Sequence, residues 1–294
     1  FFNFLSNLGN ILKTKKISVS FEFFPPKNQV SIESLWTNIK RLEPLKPKFI
    51  SVTYGAGGST RENTHSLVKE IKKKTSLEPA AHLTCMGTSY QEIEKIAEDY
   101  WNTGVRHLVA LRGDVPKEID GNKQNDFKYA TDLIRFLKGK YDFEITVSAY
   151  PEMHPDSDSL EQEYDVLKKK IDLGATKAIT QFFFNVNAYF EFVDGALKRG
   201  INIPIIPGIL PVTNCKRTLQ FAKKMNCEMP LDLIEMFKGL DSDQETRKLV
   251  AVTIVYDQCR KLIDGGIEDF HFYTLNRADL SFAICHILGI RTLG

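Results

Sequence analysis

A chain of 294 residues, 43% hydrophobic and with 20 phenylalanines, can bury a substantial core as one large α/β domain or two smaller ones. Its formal net charge is +2, with Lys and Arg scattered among Asp and Glu, and no basic stripe is interleaved with aromatics; this excludes a nucleic-acid-binding surface. The longest apolar runs are strand-length, so no segment is expected to span a membrane.

Phe1, Leu5, Leu8 and Leu12 recur at helical spacing, which predicts an amphipathic lead-in helix over residues 1–16. Asn3, Ser6, Asn7 and Asn10 interrupt any continuous apolar core there, and no Ala-x-Ala site follows, so the stretch does not read as a secretory signal. The five cysteines are odd in number and include no Cys-x-x-Cys, as expected of free thiols in a reducing compartment, the cytoplasm.

The stretch Ile17–Pro26 holds the first strand, with Val19, Phe21 and Phe23 on one face and Ser18, Ser20 and Glu22 on the other. Pro25 and Pro26 stop it because neither can donate to a ladder. Helical spacing follows over Ser31–Leu45, then strand Phe49–Thr53, the turn Gly55-Ala56-Gly57-Gly58 and a helix over 60–74. Strand Pro79–Thr84, helix Tyr90–Thr103 and strand His107–Leu111 come next, before a polar loop over Val115–Asn125. The second half repeats the alternation: helix Tyr129–Leu137, strand Glu144–Ala149, helix Leu160–Leu173, strand Ala178–Phe184, helix Ala188–Lys198 and strand Ile203–Pro207. A helical insertion from Asn214 to about Ile263 precedes the last strand, Asp269–Tyr273, and a closing helix, Ala278–Leu288. Strands alternating with amphipathic helices imply parallel pairing with right-handed crossovers. Eight such units predict an α/β fold, a single (β/α)8 TIM barrel over residues 17–294.

In such a barrel, function collects at the C-terminal strand ends. The uncommon residues fall there: Glu22, Thr53, His82 and Thr84 on strands 1 to 3, Arg112 and Asp114 after strand 4, Tyr150 and His154 after strand 5. Gln181, Pro207-Gly208, Tyr273 and Arg277 continue the series. Glu22 among phenylalanines is either a desolvated general acid with a raised pKa, or an edge carboxylate facing water or paired to an arginine. Gln181 is either an amide for a planar hydrogen-bonding ligand or a cap on a neighbouring strand end. Asp114 suits a site carboxylate or a turn ion pair, and Arg112 and Arg277 suit a phosphate or plain solvation. His82 and His154 lack a third ligand at useful spacing, so no metal is expected. The glycine turn fails the G-x-G-x-x-G fingerprint at Thr60 and reads as a βα turn that brings backbone N–H groups near a phosphate or ring. Lys177 precedes strand 6, which argues against a Schiff-base aldolase.

Several segments, in order from Ile17 to Leu288, resemble the methylenetetrahydrofolate reductases in their short bacterial form. They are Ser20-Phe21-Glu22-Phe23-Phe24-Pro25-Pro26, Ser51-Val52-Thr53-Tyr54-Gly55-Ala56, His82-Leu83-Thr84-Cys85 and Ala110-Leu111-Arg112-Gly113-Asp114. Ala149-Tyr150-Pro151-Glu152, Thr180-Gln181-Phe182-Phe183-Phe184, Pro207-Gly208-Ile209-Leu210-Pro211 and His271-Phe272-Tyr273-Thr274-Leu275-Asn276-Arg277 complete the match. The resemblance implies an FAD-dependent cytoplasmic barrel, a homo-oligomer (tetramer or dimer), that uses NAD(P)H, mostly NADH, to reduce 5,10-methylenetetrahydrofolate by a ping-pong route in one-carbon metabolism and methionine biosynthesis. It places Glu22 as the general acid and Asp114 as a carboxylate near the flavin and the pterin. Gln181, Phe221, Tyr273 and Arg277 fall on substrate positions. Thr53, His82, Leu111, Arg112, Gly113, Tyr129, Ala149, Tyr150, His154 and Lys170 fall on cofactor positions, as does Glu163, where the family has an Asp. The loop between Asp114 and Tyr129 is longer than the family pattern. The competing readings are a proline dehydrogenase-like flavin barrel, which would want more arginines on the closing helix than Arg277 and Arg291, and a non-redox pterin-binding barrel.

Overall fold

The alternating strands and helices assemble into one parallel sheet that closes nearly into a barrel, seen in a computed structural model that describes residues 16–26, 28–54, 61–114 and 126–291. The helix expected over 1–16 falls, but for Lys16, outside the described residues, as do the expected turn at Gly55–Gly58 with Thr60 and the expected loop over 115–125. The strands are β1 (Ser18–Phe23), β2 (Ile50–Val52), β3 (Pro79–Thr84), β4 (His107–Leu111), β5 (Glu144–Ala149), β6 (Lys177–Thr180), β7 (Ile205–Ile206), β8 (Gly208–Ile209) and β9 (Asp269–Tyr273). Their order is β7-β6-β5-β4-β3-β2-β1-β9-β8, and every pairing is parallel.

The expected (β/α)8 barrel is thus observed, with its seventh strand divided. The anticipated Ile203–Pro207 strand is two short pieces on either side of Pro207, β7 pairing with β6 and β8 with β9. Proline has no N–H to extend one ladder, but its carbonyl accepts from His271 N–H at 3.0 Å, so the ring changes partner at that residue. Strand β6 is also shorter than expected. Phe182–Phe184 leave the ladder, and Phe182 and Phe183 are buried by other means: Phe183 stacks on Tyr189 (centroids 5.2 Å apart) while its carbonyl accepts from Gln258 Nε2 at 2.7 Å. The apolar run signalled burial, not strand.

The helices are α1 (Gln29–Leu42), α2 (Arg61–Lys74), α3 (Tyr90–Asn102), α4 (Ala130–Lys138), α5 (Leu160–Asp172), α6 (Val186–Lys198), α7 (Cys215–Lys224), α8 (Leu231–Met236), α9 (Gln244–Asp264) and α10 (Ala278–Ile287). Helices α7 to α9 form the expected insertion before the last strand. Polar caps set several starts: Asn28 Oδ1 accepts from Ser31 N–H at 2.9 Å, and Ser89 pairs reciprocally with Glu92. No helix among the described residues is long and apolar enough to cross a membrane.

The core has two layers. Val19, Phe21 and Phe23 of β1 pack outward into the main cluster with Leu35 and Ile39 of α1. Inside the ring, Phe49, Ala80, Val109, Ile179 and Ile206 form a smaller plug. Ser18, Lys48, Lys177 and Asp269 line the lower mouth beside that plug, and the C-terminal strand ends enclose the upper interior beyond it.

Candidate active site

The parallel register fixes which side chains share the upper interior. Glu22 lies beside Ser51 of β2 and Tyr273 of β9, and His82 of β3 lies beside Val109. Because alternate residues of a strand face opposite sides, the inward set on β1 is Ser18, Ser20 and Glu22.

This corrects the expected surroundings of Glu22. Phe21 and Phe23 are wholly buried on the other face, and Phe24 is 43% exposed. What faces the carboxylate is a pair of imidazoles: Glu22 Oε2 is 3.4 Å from His82 Nε2 and 3.8 Å from His271 Nε2. Burial pushes the Glu22 carboxyl up, but the two imidazoles of His271 and His82 beside it outweigh burial and hold the pKa at about 2. The pair of imidazoles thus favours the ionised carboxylate, against the raised pKa expected from the neighbours of Glu22 in sequence. Burial lowers the His271 pKa, while Glu22 opposes the change. His271 Nδ1 lies 2.7 Å from Ser20 Oγ, which also reaches the Phe270 carbonyl at 3.3 Å; the one hydroxyl proton serves either, and the His271 proton sits on Nε2, facing the carboxylate, when it goes to Nδ1.

Tyr273 closes the β9 side. Its hydroxyl donates to the Thr180 carbonyl at 2.6 Å, and burial raises its pKa. The ring crosses Gly208 so closely that a Cβ there would lie 2.6 Å from it and 2.2 Å from the Thr180 carbonyl oxygen. Gln181, half-buried at the same mouth, donates its N–H to the Ala149 carbonyl at 2.8 Å. Phe221 of α7 is 44% exposed and stacks on Phe182 (centroids 5.3 Å apart), beside Gln181 in the chain. Arg277 is exposed at the start of α10.

The residues assigned to a cofactor lie around the exits of β2 to β5. Thr53 is buried, and its Oγ1 has no hydrogen-bond partner among the described residues. Leu111 is half-buried, and Arg112 pairs with Asp156 at 2.8 Å. Gly113 has φ +84°, and an added Cβ would meet Thr84 at 2.8 Å, so a side chain is excluded twice over. Asp114 is exposed at the end of this exit. Tyr129 is exposed ahead of α4, Ala149 is buried, and the Tyr150 ring meets His154 edge-on (centroids 4.8 Å apart). Glu163 is buried, and its Oε1 accepts from His154 N–H at 3.0 Å and from the Ser157 hydroxyl, so it braces the β5 loop from α5. Lys170, also on α5, donates to the Ser148 carbonyl at 3.2 Å, and burial pulls its pKa down to about 8 despite Glu163.

Sequence reasoning assigned no role to His271 or Ser20. The alternation of Asp269, His271 and Tyr273 was available, but the pairing register that aims His271 at Glu22 was not.

A family model described as "Methylenetetrahydrofolate reductase" matches residues 7–289. The chain is 52% identical over 276 residues to the 5,10-methylenetetrahydrofolate reductase of Pectobacterium carotovorum, covering 94% of this chain and 91% of that protein. Identity to the protein of the same name from Escherichia coli is 51%, covering 94% and 92%. Methylenetetrahydrofolate reductase 1 of Schizosaccharomyces pombe is 34% identical over 280 residues, and the chain spans 46% of its length. A solved structure from Clostridium thermocellum, an uncharacterized protein that binds two copies of 5-methyl-5,6,7,8-tetrahydrofolic acid, has a TM-score of 0.65 at 17% identity, covering 96% of this chain and 97% of that one. That last likeness concerns the fold.

Proposed function

Because the chain belongs to the methylenetetrahydrofolate reductase family, we propose that it reduces 5,10-methylenetetrahydrofolate to 5-methyltetrahydrofolate, with NAD(P)H as reductant and FAD as the hydride carrier, the two substrates using the same mouth in turn. The observation that carries the reading is the Glu22 carboxylate held between His82 and His271 at the C-terminal end of the barrel.

The cofactor positions fit a flavin dinucleotide. Thr53 Oγ1 is a buried hydroxyl with no hydrogen-bond partner among the described residues, Gly113 lets a backbone approach that no side chain permits, and Arg112 and Lys170 supply cations beside the exits of β4 and β5. Bound there, FAD would accept a hydride from the nicotinamide and pass it to the folate.

The chain's own residues handle the proton and the substrate. Reduction requires the five-membered ring of the folate to open, and opening requires a proton on the departing nitrogen. A ligand over the mouth removes water from Glu22 and strengthens the desolvation that favours its neutral form. The carboxyl can then take up a proton within its set with His82 and His271 and give it to the folate. Phe221 and Phe182 supply an aromatic wall, and the Gln181 amide orients a planar ring. Asp114 supplies negative charge near the cation that forms when the folate ring opens.

Two measurements test this. The purified protein is expected to carry flavin absorbance in the visible, and anaerobic mixing is expected to bleach it with NADH or NADPH and to restore it with methylenetetrahydrofolate. A colourless protein that takes up no FAD would refute the assignment.

A further inference from the structure

The loop leaving β9 contains two consecutive non-glycine residues in the left-handed backbone region, Leu275 with φ +51° and Asn276 with φ +58°. A side chain disfavours this region, and a pair of such residues persists only where the surroundings over-determine them. The surroundings here are β1. Phe24 N–H donates to Asn276 Oδ1 at 2.7 Å, and Asn276 Nδ2 donates back to the Phe24 carbonyl at 3.0 Å. The β1 ladder has ended at Phe23, and Pro25 and Pro26 have no N–H, so the amide stands in for a strand neighbour, meeting both polar groups of one peptide residue.

The same loop grips Glu22. Thr274 donates to the Glu22 carbonyl through its N–H at 3.3 Å and through its hydroxyl at 2.6 Å. Asn276 N–H in turn donates to Thr274 Oγ1 at 3.2 Å. The backbone on both sides of Phe23 is therefore pinned to one turn of the β9 loop. The groups facing the Glu22 side chain are His82 from β3 and His271 and Tyr273 from β9.

We infer that Asn276 is a positioning residue for Glu22: its amide clamp on Phe24 sets where the carboxylate stands relative to His82 and His271. The catalytic consequence rests on the reductase reading above, whereas the structural one does not. Asn276→Gly separates clamp from strain, because glycine keeps the left-handed turn without penalty and removes the amide. Asn276→Asp keeps the acceptor for Phe24 N–H and loses the donor.

The test compares wild type, Asn276→Gly and Asn276→Asp in two ways. In the ligand-free protein, imidazole NMR resonances are followed against pH; loosening Glu22 removes the interaction that raises the His271 pKa, so the His271 midpoint is expected to fall in Asn276→Gly. In single-turnover mixing, the folate half-reaction is expected to slow about 10- to 100-fold while reduction by the nicotinamide stays within about twofold, as for a misplaced catalytic group. Asn276→Asp should fall between wild type and Asn276→Gly in both. An unmoved His271 in Asn276→Gly, or equal losses in both half-reactions, overturns the inference. If wild type carries out neither half-reaction, the reductase reading fails and the His271 midpoint alone decides the positioning role.

Discussion

Glu22→Gln removes both the charge and the exchangeable proton of the carboxyl while keeping its shape. Burial alone would raise this group, yet His271 and His82 hold it at about 2, against an ordinary value of 4.5. At about 1.4 kcal/mol per tenfold in proton affinity, that difference corresponds to roughly 3 kcal/mol of stability carried by the ionised form. The folded-state value lies below the unfolded one, so this stability is present in full above about pH 4.5 and is lost as the pH falls toward 2. Urea unfolding of wild type and Glu22→Gln from pH 7 down to pH 3 reads the gap directly. The gap is expected to be widest at neutral pH and to narrow below pH 4.5. A gap of the same size at pH 7 and pH 3 would refute an ionised Glu22 between two histidines. In single-turnover assays the variant should still accept hydride from NAD(P)H but reduce folate about 100- to 10,000-fold more slowly, the usual contribution of a general acid. Equal losses in the two half-reactions would make Glu22 a structural residue.

Gly208→Ala would force a Cβ to within 2.2 Å of the Thr180 carbonyl and 2.6 Å of the Tyr273 ring. A thermal melt is expected to report a loss of about 1–3 kcal/mol, as for an overpacked core, and an unchanged midpoint would show that the mouth can relax. Asp114→Asn should alter the flavin potential and weaken folate binding; unchanged values for both would remove Asp114 from the site. Phe221→Ala, at a half-exposed aromatic, should leave stability within about 0.5 kcal/mol yet raise the folate KM. A normal KM would mean that the Phe182–Phe221 wall does not touch the substrate.

The barrel was legible because its signals are local. His107–Leu111 and Asp269–Tyr273 read as strands and are β4 and β9 with the same bounds. Expectation failed where burial arises without a ladder, as at Phe182 and Phe183, and where one residue lacks a donor, as at Pro207. The candidate site was legible as a set of strand-end residues but not as an electrostatic arrangement. The phenylalanines flanking Glu22 in the chain point away from it, and the histidines that lower its pKa come from β3 and β9, about 60 and 249 residues further along. Linear neighbours describe a strand residue's opposite face, and only register reveals its true company.

The division of β1 into an outward row of Val19, Phe21 and Phe23 and an inward row of Ser18, Ser20 and Glu22 has a further consequence. Cohesion of the fold and chemistry at its mouth are assigned to alternate letters of one six-residue word. Drift in the outward letters is answerable to α1, drift at Glu22 to whatever ligand the mouth receives, and drift at Ser18 to Asp269 at the far end, so neighbouring positions answer to unrelated pressures. A relative could exchange its reaction by rewriting the inward letters while its scaffold went on reading the same outward ones.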